Sequence, residues 1–145
     1  MSYMIVSRDF WPNAASIGEG LNLLATRLSE NARTSVVTMS NCDIAALNSE
    51  KFGPNRQLSF FVAKPITNSS SNLVLRVFEL IYFGFWLLLS LVRARPSVVY
   101  VATNPPIFVP FVVGAYCRLF CKSFVYHVQD IHPEAANLLL PLPSV

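Results

Sequence analysis

The sequence contains five short runs of mostly apolar and often β-branched residues, separated by longer segments with other patterns. The runs are residues 3–7, 34–39, 58–63, 98–102 and 124–128. Runs of this length suit strands and are too short for ordinary helices. The fourth run is apolar throughout, as in strands that are covered on both faces. Strands of this kind, alternating with helical segments, predict an α/β domain with a mostly parallel sheet.

Three of the intervening segments have helical patterns. Residues 20–31 carry apolar side chains at a helical period, residues 73–92 form the most apolar stretch, and residues 107–120 follow two prolines. Residues 40–56 are polar and mixed, which predicts a surface connection. The whole chain, residues 1–145, is therefore predicted to form one doubly wound, Rossmann-like domain with strand order 3-2-1-4-5.

Polar residues follow the fifth run directly. Gln129, Asp130, His132 and Glu134 lie around Pro133, which suits the first position of a helix. The carboxyl ends of strands are where open α/β sheets bind ligands, so these side chains are candidates for chemistry. An ordinary capped helix start would use the same residue types.

A glycine-containing connection follows the first run. Gly18, Glu19 and Gly20 are predicted to form a loop that lets the backbone approach a ligand, in front of a helix with free N–H groups. Leu23 occupies the place of a third glycine, so the pattern is not that of a dinucleotide site. A helix cap with a flexible loop is the alternative. The connections after the first, fourth and fifth strands are expected to converge on one edge of the sheet.

The segment Asp130-Ile131-His132-Pro133-Glu134 resembles the Asp-Leu-Trp-Pro-Glu segment in the N-terminal domain of family 4 glycosyltransferases. The nearest subgroup is that of the O-antigen and colanic-acid enzymes related to L-fucosamine transferases. His132 stands where that subgroup usually has Trp, and Gln129 stands where many members carry His. Three further segments agree in order and spacing: Tyr3 to Ser7 with Phe10 to Pro12, Leu24 to Met39, and Pro96 to Pro106.

This resemblance covers nearly all of the chain and implies one half of a GT-B fold. It implies the N-terminal, acceptor-side part of a retaining glycosyltransferase in surface polysaccharide synthesis. Such an enzyme moves a sugar from a nucleotide-sugar to a lipid-linked saccharide, for example a polyprenyl-linked one, or to a similar acceptor. In the family a second, C-terminal domain binds the nucleotide-sugar, and that domain is not among these 145 residues. The chain is therefore expected to be inactive alone.

The resemblance also suggests roles for individual residues. It implies catalytic roles for Asp130 and Glu134. The residues expected to bind substrate are Gly18, Glu19, Gly20, Asn104, Gln129 and His132. The nucleotide-sugar is a substrate, and no cofactor or metal is expected, because helix dipoles and basic side chains stabilise the leaving diphosphate in this fold.

Two other functions remain open from the sequence. One is a non-enzymatic, truncated Rossmann-like binding domain. The other is a nucleotide-binding domain of another class, such as a dehydrogenase. That class is disfavoured because Met39 and Ser40 close the second strand, where a dinucleotide site would place an acidic residue.

The charge composition limits the partners. The net charge is +3, which is too weak to predict nucleic-acid binding and fits an anionic membrane or a phosphate-bearing ligand. Charged residues make up 13% of the chain, against about 25% in typical soluble domains. Another domain or a membrane is therefore expected to cover part of the surface. Residues 1–11 do not have the pattern of a signal peptide, so the expected location is cytoplasmic, peripheral to the inner face of the plasma membrane.

The apolar segment 73–93 is predicted to provide the membrane contact. Arg76 and Glu79 near its start favour a buried or surface-seated helix over a transmembrane one. The mixed side of this helix, which includes Phe83 and Trp86, is predicted to face outward, and the wide apolar side is predicted to pack on the sheet. Coverage of Phe83 and Trp86 by another protein surface is the alternative.

Overall fold

The computed structural model describes residues 1–13, 15–67, 72–102 and 108–127, without the side chains of Ala15 and Ser16. Five strands and four helices alternate along the described chain. The strands are β1 (Ser2–Val6), β2 (Arg33–Met39), β3 (Leu58–Ala63), β4 (Val98–Ala102) and β5 (Ser123–His127). The helices are α1 (Ala15–Ser29), α2 (Ile44–Phe52), α3 (Leu73–Ala94) and α4 (Phe108–Leu119).

The five strands form one sheet, in which every pair of neighbours is parallel. The order is β3-β2-β1-β4-β5, as the sequence predicted. Chain direction across the sheet reverses between β1 and β4, since β2 and β3 lie on one side of β1 and β4 and β5 lie on the other. The fold is therefore a doubly wound, Rossmann-like α/β sandwich.

Alternate strand residues point to opposite faces of the sheet, and each face has its own core. Helices α3 and α4 cover the face that carries Met4, Val37 and Val99. Helices α1 and α2 cover the face that carries Ile5 and Val36. The alternation follows from the two-residue period of a strand, and it explains why the central strands carry apolar residues on both faces.

Two local features differ from the sequence prediction. Helix α1 begins at Ala15, five residues before its predicted start at Gly20, so Gly18–Gly20 lie inside a helix and not in a loop. Residues 44–52 form the short helix α2, where only a surface connection was predicted. Asp43 caps α2 by accepting a hydrogen bond from the backbone N–H of Ala46 at 3.1 Å. Helix α2 was missed because it buries only Ile44 and Asn48, too few residues for a clear helical period.

Helix α3 packs on the sheet with the opposite face to the one predicted. Its buried residues include Glu79, Phe83 and Ser90, all from the mixed side that was expected to face outward. Most of the wide apolar side is exposed instead, although Leu87 and Leu91 are buried. Its exposed large side chains are Leu73, Val74, Leu75, Val77, Phe78, Ile81, Phe85, Leu88, Leu89 and Val92. Phe83 and Trp86 are thus not an outward-facing aromatic pair, and the predicted orientation is wrong.

The polar groups on the inner side of α3 are buried because each has a hydrogen-bond partner. Ser90 Oγ donates to the carbonyl oxygen of Trp86 at 2.8 Å, within the helix. Trp86 Nε1 donates to the carbonyl oxygen of Phe61 at 3.4 Å, on the edge strand β3. Gly84 lets α4 approach, since a Cβ there would lie 2.4 Å from a ring carbon of Phe108. The inner side of α3 can therefore pack against the sheet and α4 although it carries polar residues.

Candidate functional site

The carboxyl edge of the sheet is the candidate site, because ligands of doubly wound sheets bind where the chain direction reverses. That point lies between β1 and β4. The described part of this edge contains the connections that leave β1, β2 and β3. The connections that leave β4 and β5 begin at residues 103 and 128. Asn104, Gln129, Asp130, His132 and Glu134 therefore lie outside the described residues, and their predicted roles stay predictions.

The connection after β1 is held firmly against β2. The carbonyl oxygen of Arg8 accepts hydrogen bonds from the backbone N–H of Met39 at 3.2 Å and from Thr38 Oγ1 at 3.0 Å. Ser7 Oγ donates to the carbonyl oxygen of Asp9 at 2.6 Å, and Phe10 is buried. A connection with this many backbone contacts presents its side chains from fixed positions.

Gly18 contacts this connection and is not open to a ligand. A Cβ on Gly18 would lie 2.5 Å from the backbone nitrogen of Trp11 and 2.8 Å from the carbonyl carbon of Phe10. The glycine thus permits α1 to pack directly on the chain after β1. Among the described residues, no atom outside the adjoining backbone of α1 lies within 4 Å of the corresponding position on Gly20. The sequence suggested that these glycines let the backbone approach a ligand closely. At Gly18 the backbone does have a close neighbour, but that neighbour is the protein's own backbone at Phe10 and Trp11.

Glu19 is exposed beside α2, where it forms an ion pair. Lys51 Nζ donates to Glu19 Oε1 at 2.5 Å, and this hydrogen bond together with the ammonium charge lowers the pKa of Glu19. The same ammonium lies 5.3 Å from the ring centroid of Trp11, which allows a cation–π contact. Trp11, Glu19 and Lys51 are therefore brought together at the start of α1.

A buried carboxylate joins the connections after β1 and β3. Glu79 Oε2 accepts hydrogen bonds from the backbone N–H groups of Ile66 and Thr67, each at 2.6 Å. Glu79 Oε1 accepts from Thr67 Oγ1 at 2.9 Å and forms an ion pair with Arg8 Nη2. Burial tends to raise the pKa of Glu79, but the bonds from Thr67 and Ile66 and the charge of Arg8 outweigh it and lower the pKa.

Arg8 is the cationic side chain of this network that reaches the surface. Its side chain is 36% exposed, whereas that of Glu79 is 2% exposed. A guanidinium has five N–H donors, so the ion pair with one carboxylate oxygen leaves donors that can bind an anion. Glu79 fixes the position of Arg8, and the carboxylate itself is enclosed.

A second polar pair lies where β4 and β5 end. Tyr100 Oη and His127 Nδ1 are hydrogen-bonded, and their ring centroids are 5.6 Å apart with an interplanar angle of 62°. Burial raises the pKa of Tyr100, so the phenol stays protonated at neutral pH and can donate this bond. The pair places an imidazole beside the point at which β5 leaves the sheet.

A groove of about 360 Å³ with a mixed polar and apolar lining opens at the ends of β2 and β3. Its lining includes Ser40, Asp43 and Lys64. Ser40 Oγ accepts a hydrogen bond from the backbone N–H of Cys42 at 3.0 Å and is 3.4 Å from Asn13 Nδ2. Within the described ranges, no group of three or more His, Cys, Asp or Glu side chains is arranged to hold a metal ion.

Four residues at this edge were not predicted from the sequence as site residues: Arg8, Glu79, Tyr100 and His127. A signal existed for two of them. Glu79 is the one acidic residue in a long apolar helix, which indicates a buried partner. Arg8 directly follows the first buried strand, and that places it at the carboxyl edge. No local pattern links Tyr100 to His127, since 27 positions separate them and only the parallel pairing of β4 and β5 makes them neighbours.

No protein-family model matches this chain, and no curated protein matches it. Function is therefore inferred from the fold and from the residues at the carboxyl edge of the sheet.

Proposed function

We propose that this chain is the acceptor-side half of a retaining glycosyltransferase of the GT-B type. The observation that carries the proposal is the five-stranded parallel sheet of order 3-2-1-4-5. A doubly wound, Rossmann-like sheet is what the resemblance to family 4 glycosyltransferases implies for one half of a GT-B fold. The observed sheet also brings the ends of β1, β4 and β5 side by side, and those strands lead into three of the four segments on which the resemblance rests.

In this proposal the carboxyl edge faces a second domain that holds the nucleotide-sugar. During transfer, the bond between the sugar and the diphosphate breaks while a hydroxyl of the saccharide acceptor forms the new glycosidic bond. Asp130 or Glu134 takes the proton that the acceptor hydroxyl loses as the new bond forms, and both residues orient the acceptor. Arg8 supplies a fixed cation close to the same edge, where negative charge on the departing diphosphate needs stabilisation. The role of Gly18 changes from ligand contact to positioning, because it sets the distance between α1 and the connection after β1.

The proposal is tested by a donor screen on the full-length gene product. Release of nucleoside diphosphate is measured with a panel of nucleotide-sugars and a polyprenyl-linked saccharide acceptor. Asp130→Asn and Glu134→Gln are each expected to lower kcat by about 100-fold or more while leaving the melting temperature near that of the wild type. Glu50→Gln is the matched control, since Glu50 is exposed on α2.

Three results would contradict the proposal. They are the absence of transfer from every donor, full activity of both site variants, and equal losses in the control. Absence of transfer combined with saturable saccharide binding would identify a binding domain instead. The 145-residue chain alone is expected to show no turnover, because orientation of donor against acceptor supplies much of the rate.

A further inference from the structure

The outer side of α3 and α4 is an extended apolar surface. A line of large side chains runs along α3 and includes Val74, Phe78, Ile81, Phe85 and Val92, with Phe78 69% exposed and Phe85 64% exposed. Phe111 on the neighbouring helix α4 is 75% exposed. The 22 residues of α3 extend over about 33 Å. Apolar surfaces of this extent mark contacts with a protein or a membrane.

The charges around this surface are of one sign. Between residues 72 and 127 the sequence has five basic residues and one acidic residue, Glu79, which is 1% exposed. The basic residues are Arg76, Arg93, Arg95, Arg118 and Lys122, and all five are exposed. Residues 1–67 differ, with six basic and five acidic residues. The half of the protein that carries the apolar surface therefore displays only positive charge along its described surface.

Four of the five cations lie at one end of the two helices. Helices α3 and α4 run antiparallel to the strands and end where β4 and β5 begin. Arg93 and Arg95 are at the end of α3, and Arg118 and Lys122 are at the end of α4. The starts of β4 and β5 are joined by the bond from the backbone N–H of Ser123 to the carbonyl oxygen of Ser97. An apolar surface with a cationic rim matches the apolar interior and anionic headgroups of a lipid bilayer.

We propose that the outer side of α3 and α4 seats the protein in the interface of an anionic lipid bilayer, with both helices lying in the membrane plane. This inference does not depend on sugar transfer. By length and composition, α3 could cross a bilayer, and it is the one helix in the described ranges that could. It does not span in this fold, because Phe83, Leu87 and Leu91 are buried against the sheet and Glu79 is bonded to the connections after β1 and β3.

The inference is tested by flotation of the full chain with two kinds of vesicle. One kind contains phosphatidylcholine alone, and the other contains phosphatidylcholine with phosphatidylglycerol. The wild type is expected to float with the anionic vesicles and to bind the neutral ones less. The double variant Phe78→Ser, Phe85→Ser should lower the partition coefficient by about tenfold or more, because two exposed rings no longer enter the apolar phase. Arg93→Gln and Arg118→Gln should each lower it by about fivefold on anionic vesicles only.

The matched control is Leu23→Ser, Phe52→Ser. These two apolar side chains are also exposed, but they lie on α1 and α2 across the sheet. The control should bind as the wild type does, and urea unfolding should show that both double variants are folded. Equal flotation of all proteins, or of none, would overturn the inference. A wild-type dimer that Phe78→Ser, Phe85→Ser converts to a monomer, without vesicle binding, would assign the surface to a second copy. Resistance to carbonate extraction would overturn the in-plane arrangement.

Discussion

Helices α1 and α3 pack on opposite faces of the same sheet and differ in where their carboxylates lie. Helix α1 buries Leu21 and Ala25 and exposes Glu19, as a helix at an aqueous surface does. Helix α3 buries Glu79 and exposes a continuous line of apolar side chains. Both helices have the same type of partner, one face of a parallel sheet. The different burial of the two helices therefore depends on what surrounds the outer face of each helix and on the hydrogen bonds that the polar groups of the inner face make.

The comparison shows that amphipathic pattern alone does not determine which side of a helix is buried. A polar side chain can occupy the inner face when all of its hydrogen bonds are made there, as those of Glu79 are. An apolar outer face is stable when it has an apolar neighbour, and the proposed bilayer supplies one. Helix α1 follows the usual rule because its outer side carries charged residues such as Arg27, which forms an ion pair in water with Glu30 just after the helix ends.

The largest expected effect separates the two sides of α3 directly. Phe83 is 1% exposed and Phe78 is 69% exposed, so the same substitution in one helix should have very different costs. Phe83→Ala is expected to lower the free energy of unfolding by about 3–5 kcal/mol, through lost burial and a residual cavity. Phe78→Ala should change it by no more than about 0.5 kcal/mol. Urea unfolding measures both, and similar costs for the two variants would show that α3 does not pack with its mixed side inward.

The next effect concerns the buried carboxylate. Glu79→Ala is expected to lower the free energy of unfolding by about 3 kcal/mol, because it leaves two backbone N–H groups and the Arg8 guanidinium without their acceptor. Glu30→Ala is the control, since Glu30 lies in an exposed pair with Arg27, 3.0 Å apart, and should cost about 0.5 kcal/mol or less. Equal costs would mean that the Glu79 network contributes no more than a surface ion pair.

The pH dependence of that difference gives an independent check. Folding lowers the pKa of Glu79 below its ordinary value of 4.5, so the folded state favours the carboxylate. The stabilisation is present above pH 4.5 and is lost as the pH falls through the folded-state pKa. The stability gap between the wild type and Glu79→Ala should therefore narrow as the pH is lowered below 4.5. A gap that stays constant on acidification would contradict the assigned ionisation of Glu79.

The smallest pair of effects lies in α1 and has opposite signs. Gly18→Ala should destabilise by about 1–3 kcal/mol, because the added Cβ meets the backbone of Trp11, which cannot move away easily. Gly20→Ala places the same methyl group in open space and should stabilise the helix by about 0.5–1 kcal/mol. Thermal or urea unfolding of the two variants measures both changes in stability. Stabilisation by both would show that α1 does not press on the connection after β1.

Local patterns in the sequence determined the sheet. All five strands lie within one residue of their predicted bounds, and the predicted order 3-2-1-4-5 is the observed one. The reason is that strands of a parallel sheet are rich in apolar and β-branched residues, and this enrichment is visible without knowledge of their neighbours. The start of α1 and the existence of α2 were not predicted, since glycines and a sparse apolar pattern conceal helices that tertiary contacts stabilise.

Only the tertiary structure decided how α3 is turned and which side chains meet at the carboxyl edge. Glu79 and Arg8 are 71 positions apart in sequence, and Tyr100 and His127 are 27 apart, so no local pattern links either pair. The sequence indicated that α3 has a mixed side and an apolar side. Which side is buried depends on hydrogen-bond partners supplied by the connections after β1 and β3, and those partners are in place only when the sheet has formed.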